Sequence, residues 1–256
     1  MNTALVFDVN TWFLGASLGF ARLAPIFFFL PFFKSSVLSG ISRTAVIMVV
    51  ALGFWPMPLE TLAHIELSVY LPAIAQELLV GLILGMLLGW PFWVFHAVGN
   101  FIDNQRGATL SSTIDPANGV DTSELSEFLN FFSGVVYLQT GGLMLFAETV
   151  NQSYRLCDPL QGCTFSTEPV LQLLNSLMTN MIVLASPVIV ILLLFEFVLG
   201  LLSHFTPQLN AFSISLTVKS VVALVVLLVY FAPILPDEII RFGTMAEHFS
   251  LWIERP

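Results

Sequence analysis

The stretch 181-MIVLASPVIVILLLFEFVLGLL-202 contains a single charged side chain, Glu196, in 22 residues. A helix needs about 20 apolar residues to cross the hydrocarbon core of a bilayer, so this stretch alone predicts a membrane-spanning helix. Its apolar residues are continuous, whereas a strand of a membrane barrel alternates apolar and polar residues over about ten positions. The sequence therefore predicts an all-α integral membrane protein.

Five further apolar segments accompany this stretch. The six are Trp12–Phe33, Val37–Trp55, Val69–Val98, Phe128–Val150, Met181–Leu202 and Phe212–Leu235. Only 10% of the residues are charged, against about 25% in a typical soluble domain, and the mean hydropathy is +0.89. The 256 residues accommodate about six long helices and short connectors, so we expect a single membrane domain over residues 1–256.

Short connectors predict helical hairpins at both ends of the chain. The first two segments meet across Lys34–Ser36 and the last two across Pro207–Ala211, which favours two tight antiparallel pairs. The third segment contains Pro91, whose ring and missing N–H kink or split a helix. Asp121 followed by Glu124 resembles a capping box and predicts that a helix begins just after Asp121.

Several ionisable residues fall within or at the edges of the apolar segments, where a central charge costs about 2.5–3.5 kcal/mol. They are Arg22, Arg43, Glu77, Glu148, Glu196 and Lys219. For those near segment ends, which are Arg43, Glu77, Glu148 and Lys219, snorkelling to the interface is the alternative to pairing. Arg22 and Glu196 lie deeper, so pairing inside the bundle, an aqueous passage and contact with another subunit remain alternatives. Our preferred internal pair is Glu196 with Lys219 on the neighbouring hairpin helix.

Gly81, Gly85 and Gly89 share one face of the third helix. Such small-residue stripes let two helices approach closely in a membrane, where the hydrophobic effect does not drive helices together. We therefore expect close packing along this face, either within the chain or against a partner.

The connector Asn151–Pro169 contains both cysteines, Cys157 and Cys163. Two thiols do not complete a four-ligand zinc site. A disulfide forms if the connector faces an oxidising compartment, and two free thiols are the alternative. The basic residues do not decide which side that is, because they are shared evenly between the two sides of a six-span arrangement. Lys34, Arg43 and Arg106 lie on one side, and Arg155, Arg241 and Arg255 on the other.

Composition and motifs argue against several classes of function. The net charge of −9 argues against nucleic acid as a partner. Neither a Gly-x-Ser-x-Gly elbow nor a His-Glu-x-x-His helix is present, and no glycine-rich phosphate loop follows a strand. The histidines, which are His64, His96, His204 and His248, lack ligand spacing. We expect no enzymatic activity, metal or cofactor. A secondary transporter remains an alternative, with Arg22, Glu196 and Lys219 as ion or substrate sites.

The segment 99-GNFIDNQRGATLSSTIDP-116 is too long and too polar to follow from hydropathy, and it resembles the signature loop of type III secretion export-apparatus T subunits, the family that includes flagellar FliR. Three further blocks agree: 21-ARLAPIF-27 with Pro31 and Arg43, the predicted helix with Glu77, Gly81, Gly85 and Gly89, and 207-PQLNAF-212 leading to Lys219. The resemblance covers nearly the whole chain. Within that family, the block 103-DNQRGATL-110 and the loop 156-LCDP-159 most resemble the SpaR-type subunit of injectisomes.

The resemblance implies a multi-pass subunit of the bacterial inner membrane at the base of an injectisome. It implies one copy of the chain in a hetero-oligomer with R and S subunits, residues 1–150 being R-like and residues 170–256 an S-like hairpin. The resemblance further implies that this hetero-oligomer is an export gate, which conducts unfolded secreted proteins. The gate works with the U subunit and the V-type export gate and contacts membrane lipid.

The polar region after the third helix is the candidate gate. Its residues are Asp103, Asn104, Gln105, Arg106, Gly107 and Asp115. A passage for polypeptide has to be wet when open and sealed against ions when idle, so we expect this region to lie at or beside the closed passage. The alternative is a connector held to its neighbours by hydrogen bonds.

Overall fold

The computed structural model describes residues 9–34, 37–56, 65–107, 123–166, 168–205, 211–243 and 253–254. The helices in these ranges are α1 (Val9–Phe29), α2 (Gly40–Phe54), α3 (Leu67–Arg106), α4 (Glu124–Gln139), α5 (Gly142–Leu156), α6 (Glu168–Phe205) and α7 (Ala211–Gly243). A 3-10 turn, Pro31–Phe33, follows α1, and two short strands, β1 (Thr164–Phe165) and β2 (Ile253–Glu254), pair antiparallel. The all-α prediction is confirmed.

The predicted number of spanning helices is too high. Within the described ranges, α1, α3, α6 and α7 are long and apolar enough to cross a membrane, and a fifth span results only if α4 and α5 are counted together. The segment predicted as Val37–Trp55 forms α2, which has 15 residues. At 1.5 Å per residue α2 is about 22 Å long, which is shorter than the bilayer core of about 30 Å.

The predicted helix Phe128–Val150 is wrong, because the chain breaks it into α4 and α5. Gly141 lies between the two helices with φ of 90°, a left-handed conformation that glycine adopts without steric cost. Thr140 ends α4, and its hydroxyl donates to the carbonyl oxygen of Val136 at 3.0 Å. Helix α5 then continues to Leu156, six residues into the predicted connector Asn151–Pro169.

Helix α3 is continuous for 40 residues and passes through Pro91, so the predicted split there does not occur. The chain nevertheless divides into two compact units, and one division falls between Gly89 and Trp90, next to this proline. The first unit contains residues 1–89, 141–169 and 243–256, and the second contains residues 90–140 and 170–242. The assignment of residues 1–150 and 170–256 to R-like and S-like parts stays a prediction.

In the first unit α1 is an interior helix that packs against α2. Leu18, Leu23 and Ile26 are fully buried. Gly19 lies so near α2 that a Cβ atom there would be 3.1 Å from the Cβ of Ala51. This close contact agrees with the predicted hairpin, although part of its connector, residues 35–36, lies outside the described ranges.

Helices α6 and α7 differ from α1 and α3 in how much of their surface is covered. In the most apolar windows of α1 and α3, 56% and 67% of the residues are buried, against 22% and 28% in α6 and α7. The second unit therefore presents two long apolar helices whose side chains largely lack protein contacts within the described chain.

Candidate functional site

The two most deeply buried charges of the first unit form an ion pair. Arg22 on α1 donates from Nε to Glu77 Oε2 at 2.6 Å and from Nη2 to Oε1 at 2.5 Å. Both side chains are 0% exposed. This two-pronged geometry is the strongest that arginine and a carboxylate can adopt. Glu77 therefore does not snorkel to the interface, and Arg22 pairs inside the chain.

Helix α5 completes the surroundings of the guanidinium. Arg22 Nη1 donates to the Ser153 hydroxyl oxygen at 3.0 Å, and Nη2 donates to the Cys157 carbonyl oxygen at 3.0 Å. The guanidinium carbon lies 3.9 Å from the centroid of the Tyr154 ring, which adds a cation–π contact. A buried charge is tolerated when its hydrogen-bonding capacity is used in this way. We call these residues, Arg22, Glu77, Ser153, Tyr154 and Cys157, the charge cluster.

The predicted glycine stripe explains how α1 and α3 come close enough for this pair. Gly81 lies one turn after Glu77 on the same face, and a Cβ atom at Gly81 would overlap the carbonyl oxygen of Arg22. A Cβ atom at Gly85 would overlap the ring of Phe29, and Gly89 is buried. At Gly81 and Gly85 the stripe is therefore used within the chain.

Asp103 is the centre of a second polar cluster, at the end of α3 in the second unit. It accepts from Arg106 Nε at 2.6 Å, from the Ser123 hydroxyl at 2.5 Å and from the backbone N–H of Leu125 at 3.1 Å. Ser123 is the N-cap of α4, and its hydroxyl oxygen accepts from the N–H of Ser126 at 3.1 Å. We call Asp103, Arg106 and Ser123 the loop clasp, because they join the residues on either side of 108–122.

The structure corrects the predicted start of α4 and shows how exposed the other candidate gate residues are. The N-cap of α4 is Ser123, and the predicted cap Asp121 lies outside the described residues, as does Asp115. Asn104 is exposed, whereas Gln105 and Gly107 are half-buried. Helix α4 approaches α3 closely here, because a Cβ atom at Gly99 would be 2.5 Å from Ser126 Cα.

Glu196 and Lys219 lie together, as their positions in the last hairpin suggest. Lys219 Nζ is 2.8 Å from Glu196 Oε2, with side-chain exposures of 8% and 51%. Glu196 lies nine residues before the end of α6 and Lys219 eight after the start of α7, as expected for an antiparallel pair. Two candidate charges remain: Arg43 is half-buried on α2, and Glu148 is exposed on α5.

Cys157 and Cys163 form a disulfide with their Cα atoms 5.7 Å apart. Gln76 on α3 holds this loop, because its Nε2 donates to the Asp158 carbonyl oxygen at 3.1 Å and lies 3.5 Å from Cys157 Sγ. Across the described part of the chain, no three His, Cys, Asp or Glu side chains are grouped to hold a metal ion.

A model of the family described as bacterial export proteins, family 1, matches residues 13–241. The chain belongs to this family. It is 55% identical over 249 residues to the surface presentation of antigens protein SpaR of Salmonella typhimurium, covering 97% of this chain and 95% of that protein. It is 45% identical to SpaR of Shigella flexneri, covering 87% and 90%, and 30% identical to Yop proteins translocation protein T of Yersinia pestis, covering 82% of each.

As a bacterial export protein of family 1, the chain is a component of the type III secretion export apparatus. It is a multi-pass protein of the bacterial inner membrane at the base of the injectisome. The resemblance drawn from the polar loop is therefore confirmed. These findings support export of proteins and not the alternative of a secondary transporter.

The sequence of this export protein did not reveal the partners of Arg22, Glu77 and Asp103. Ser153 and Tyr154 were assigned to a connector and are instead on α5, and neither Gln76 nor Ser123 was singled out. One signal was available, since Glu77, Gly81 and Gly85 recur every four residues and so share a helical face. A charge on the same face as closely packed glycines faces another helix and not lipid.

Proposed function

We propose that this chain is a single-copy subunit that forms, with R-type and S-type subunits, the passage through which unfolded effector and needle proteins leave the cell. Membership of the export family supports a hetero-oligomer. The U subunit and the V-type export gate are the further partners in this proposal. The chain contributes walls and contacts to the passage, and no catalytic step is assigned to it.

The length of α6 is the observation that carries this proposal. Its 38 residues extend about 57 Å at 1.5 Å per residue, whereas the hydrocarbon core is about 30 Å thick. Fitting the helix into that thickness would need a tilt of about 58°, beyond the usual limit of about 40°. Exposed apolar side chains occur at both ends, with Leu171 70% and Phe205 78% exposed. Lipid does not cover both ends at once, so neighbouring protein subunits are needed.

Purification of the chain coexpressed with its R-type and S-type neighbours tests this assembly. We expect one stable hetero-oligomer whose mass, measured by native mass spectrometry, contains one copy of this chain. A chain that purifies alone, or with several copies in the complex, contradicts the proposal.

Charged substitutions at the two ends of α6 locate the protein contacts. Leu171→Glu and Phe205→Glu place a carboxylate where water would accept it but a packed subunit interface would not. At least one of them should prevent assembly, while Gln172→Glu, at a neighbouring exposed polar position, should not. Normal assembly of both apolar-site variants would show that water or lipid head groups, and not subunits, surround the two ends of this helix.

We assign closing of the passage to the polar region that begins at Asp103. Gln105 and Arg106 are its main candidate residues, and Asn104, Gly107 and Asp115 belong to the same stretch of sequence. The loop clasp supports this assignment because it joins the end of α3, where Gln105 and Arg106 lie, to the start of α4. Ion leakage and secretion in an Arg106→Ala strain test it. Loss of the seal or of secretion is expected, and normal behaviour in both assays would leave only the connector role.

A further inference from the structure

The disulfide loop is in direct contact with the buried Arg22–Glu77 pair through the Cys157 carbonyl oxygen. We propose that Cys157 and Cys163 are an oxidation site on the periplasmic side of the inner membrane, and that their oxidation latches residues 157–163 onto the charge cluster. The contacts that carry the proposal all lie within the first unit and involve described residues.

The latch consists of three contacts made by one short loop. The Cys157 carbonyl oxygen accepts from Arg22 Nη2 at 3.0 Å, and the Asp158 carbonyl oxygen accepts from Gln76 at 3.1 Å. Within the loop, Asp158 Oδ1 accepts from the N–H of Leu160 at 2.8 Å, so the turn holds itself. Closing the ring at Cys163 restricts the backbone that carries the Cys157 and Asp158 carbonyl oxygens and so presents both acceptors together.

The compartment follows from the chemistry of the bond. Thiols of bacterial proteins stay reduced in the cytosol, whereas disulfides form and persist in the periplasm. A protein of the inner membrane is exposed to both compartments, and a structural disulfide selects the periplasm for this loop. The basic residues did not decide the orientation, and the disulfide does.

The oxidation is a thiol–disulfide exchange with a protein disulfide of the periplasm as oxidant. The thiolate of one cysteine attacks that disulfide and forms a mixed disulfide, and the second thiolate then displaces the oxidant's sulfur. The Cys157–Cys163 bond forms, and the oxidant takes up the two electrons and the two thiol protons and departs as a dithiol. Because Cys157 is fully buried in the finished fold, the exchange precedes docking of the loop onto α3.

Thiol trapping in whole cells tests the site and its side of the membrane. Cells with normal oxidants should yield a chain with no thiol that reacts with a maleimide after denaturation. Cells that lack the periplasmic disulfide oxidant should yield two reactive thiols. Two reactive thiols in normal cells, or an intact disulfide in the oxidant-deficient cells, would overturn the proposal.

A cycle of variants in the purified export complex tests the latch itself. Cys163→Ser removes the bond and leaves buried Cys157 in place, and we expect the melting temperature to fall by about 5 °C. Gln161→Ser, an exposed change in the same loop, is the control and should have no effect. In a Gln76→Leu background the loop is already loosened from α3, so Cys163→Ser should cost less than half as much. Equal losses in both backgrounds would show that the disulfide acts independently of the contact between this loop and Gln76 on α3, and would overturn the latch.

Discussion

The ion pairs Arg22–Glu77 and Glu196–Lys219 each join two apolar helices of this export protein, and their surroundings are opposite. Arg22 and Glu77 are both 0% exposed and share two hydrogen bonds, with Ser153, Tyr154 and the Cys157 carbonyl completing the contacts. Lys219 meets Glu196 through one close contact at 2.8 Å, and the glutamate is 51% exposed. The first pair is complete within the chain, whereas the second has an open side.

The difference indicates which helices have their charged side chains covered by other residues of the chain. A buried ion pair needs well-placed additional partners, because desolvation otherwise exceeds the attraction between the charges. Helices α1, α3 and α5 supply those partners around Arg22. Helices α6 and α7 do not supply them around Glu196, and these are also the helices with the most exposed apolar surface. Around the open pair, α6 and α7 are therefore the long helices that the described chain itself covers least.

Neutralising one member of the closed pair should have the largest effect. Arg22→Met leaves the Glu77 carboxylate buried without a partner, which typically costs about 3–5 kcal/mol. We expect loss of the folded chain from membranes, or a large drop in its unfolding free energy in mixed micelles. The matched change Lys219→Met in the open pair should cost much less.

The double variant Arg22→Met with Glu77→Met distinguishes charge from packing. Replacing a whole buried pair by apolar residues is often neutral or stabilising, so it should recover most of the stability that Arg22→Met loses. A double variant as unstable as the single one would show that the shape of the two side chains, and not their charge, stabilises the cluster.

Widening the contact between α1 and α3 should have the next largest effect. Gly81→Ala inserts a methyl group against the Arg22 carbonyl oxygen, and such overpacking costs about 1–3 kcal/mol. Gly53→Ala is the control, because no atom lies within 4 Å of the added carbon and alanine favours a helix by about 0.5–1 kcal/mol. Thermal unfolding of both variants should shift in opposite directions, and equal shifts would contradict the close approach.

Around the Arg22–Glu77 pair, the sequence predicted which residues are important better than it predicted which of them are in contact. Continuous apolar runs fixed the all-α class, and the recurrence of glycine every four residues fixed the packed face of α3. Arg22 and Glu77 were recognised as costly charges, but 55 positions separate them in the chain. Hydropathy does not reveal which distant helices meet, so their pairing was not predicted. Glu196 and Lys219 were paired correctly because the short hairpin connector brings them together locally.

The same reasoning explains the errors in the helix count. Phe128–Val150 is apolar enough for one span, but the chain breaks at Thr140-Gly141-Gly142, where Gly141 has a left-handed backbone. Hydropathy is averaged over many residues, so it does not detect a break at a single glycine. The N-cap of α4 was placed two residues early because Asp121 and Ser123 are both good caps. The contact between Ser123 and Asp103, which decides between them, comes from packing across 20 positions.

Removing the centre of the loop clasp should have a moderate effect, between those of the two ion pairs. Asp103→Asn keeps the shape of the side chain but loses the charge that Arg106 and the N-terminus of α4 contact, and we expect a cost of about 1–2 kcal/mol. Hydrogen exchange should show faster exchange at the amides of Leu125 and Ser126, while the exposed neighbour change Asn104→Ala should leave them protected. Unchanged exchange in Asp103→Asn would show that Ser123 alone caps the helix.

Breaking the Glu196–Lys219 pair should lower the unfolding free energy least in the isolated chain and more in the complex. Glu196→Gln removes a half-exposed carboxylate, and exposed pairs contribute about 0–1 kcal/mol. In the assembled export complex a subunit over α6 would bury Glu196, and the loss would approach the cost of about 3–5 kcal/mol for breaking a buried pair. Unfolding of the variant is therefore measured twice, alone in micelles and within the purified complex, with Ser203→Ala on the same helix as the control. A loss that grows on assembly shows that a partner covers the open side of this pair, and equal losses show that Glu196 still faces water or lipid head groups in the finished gate.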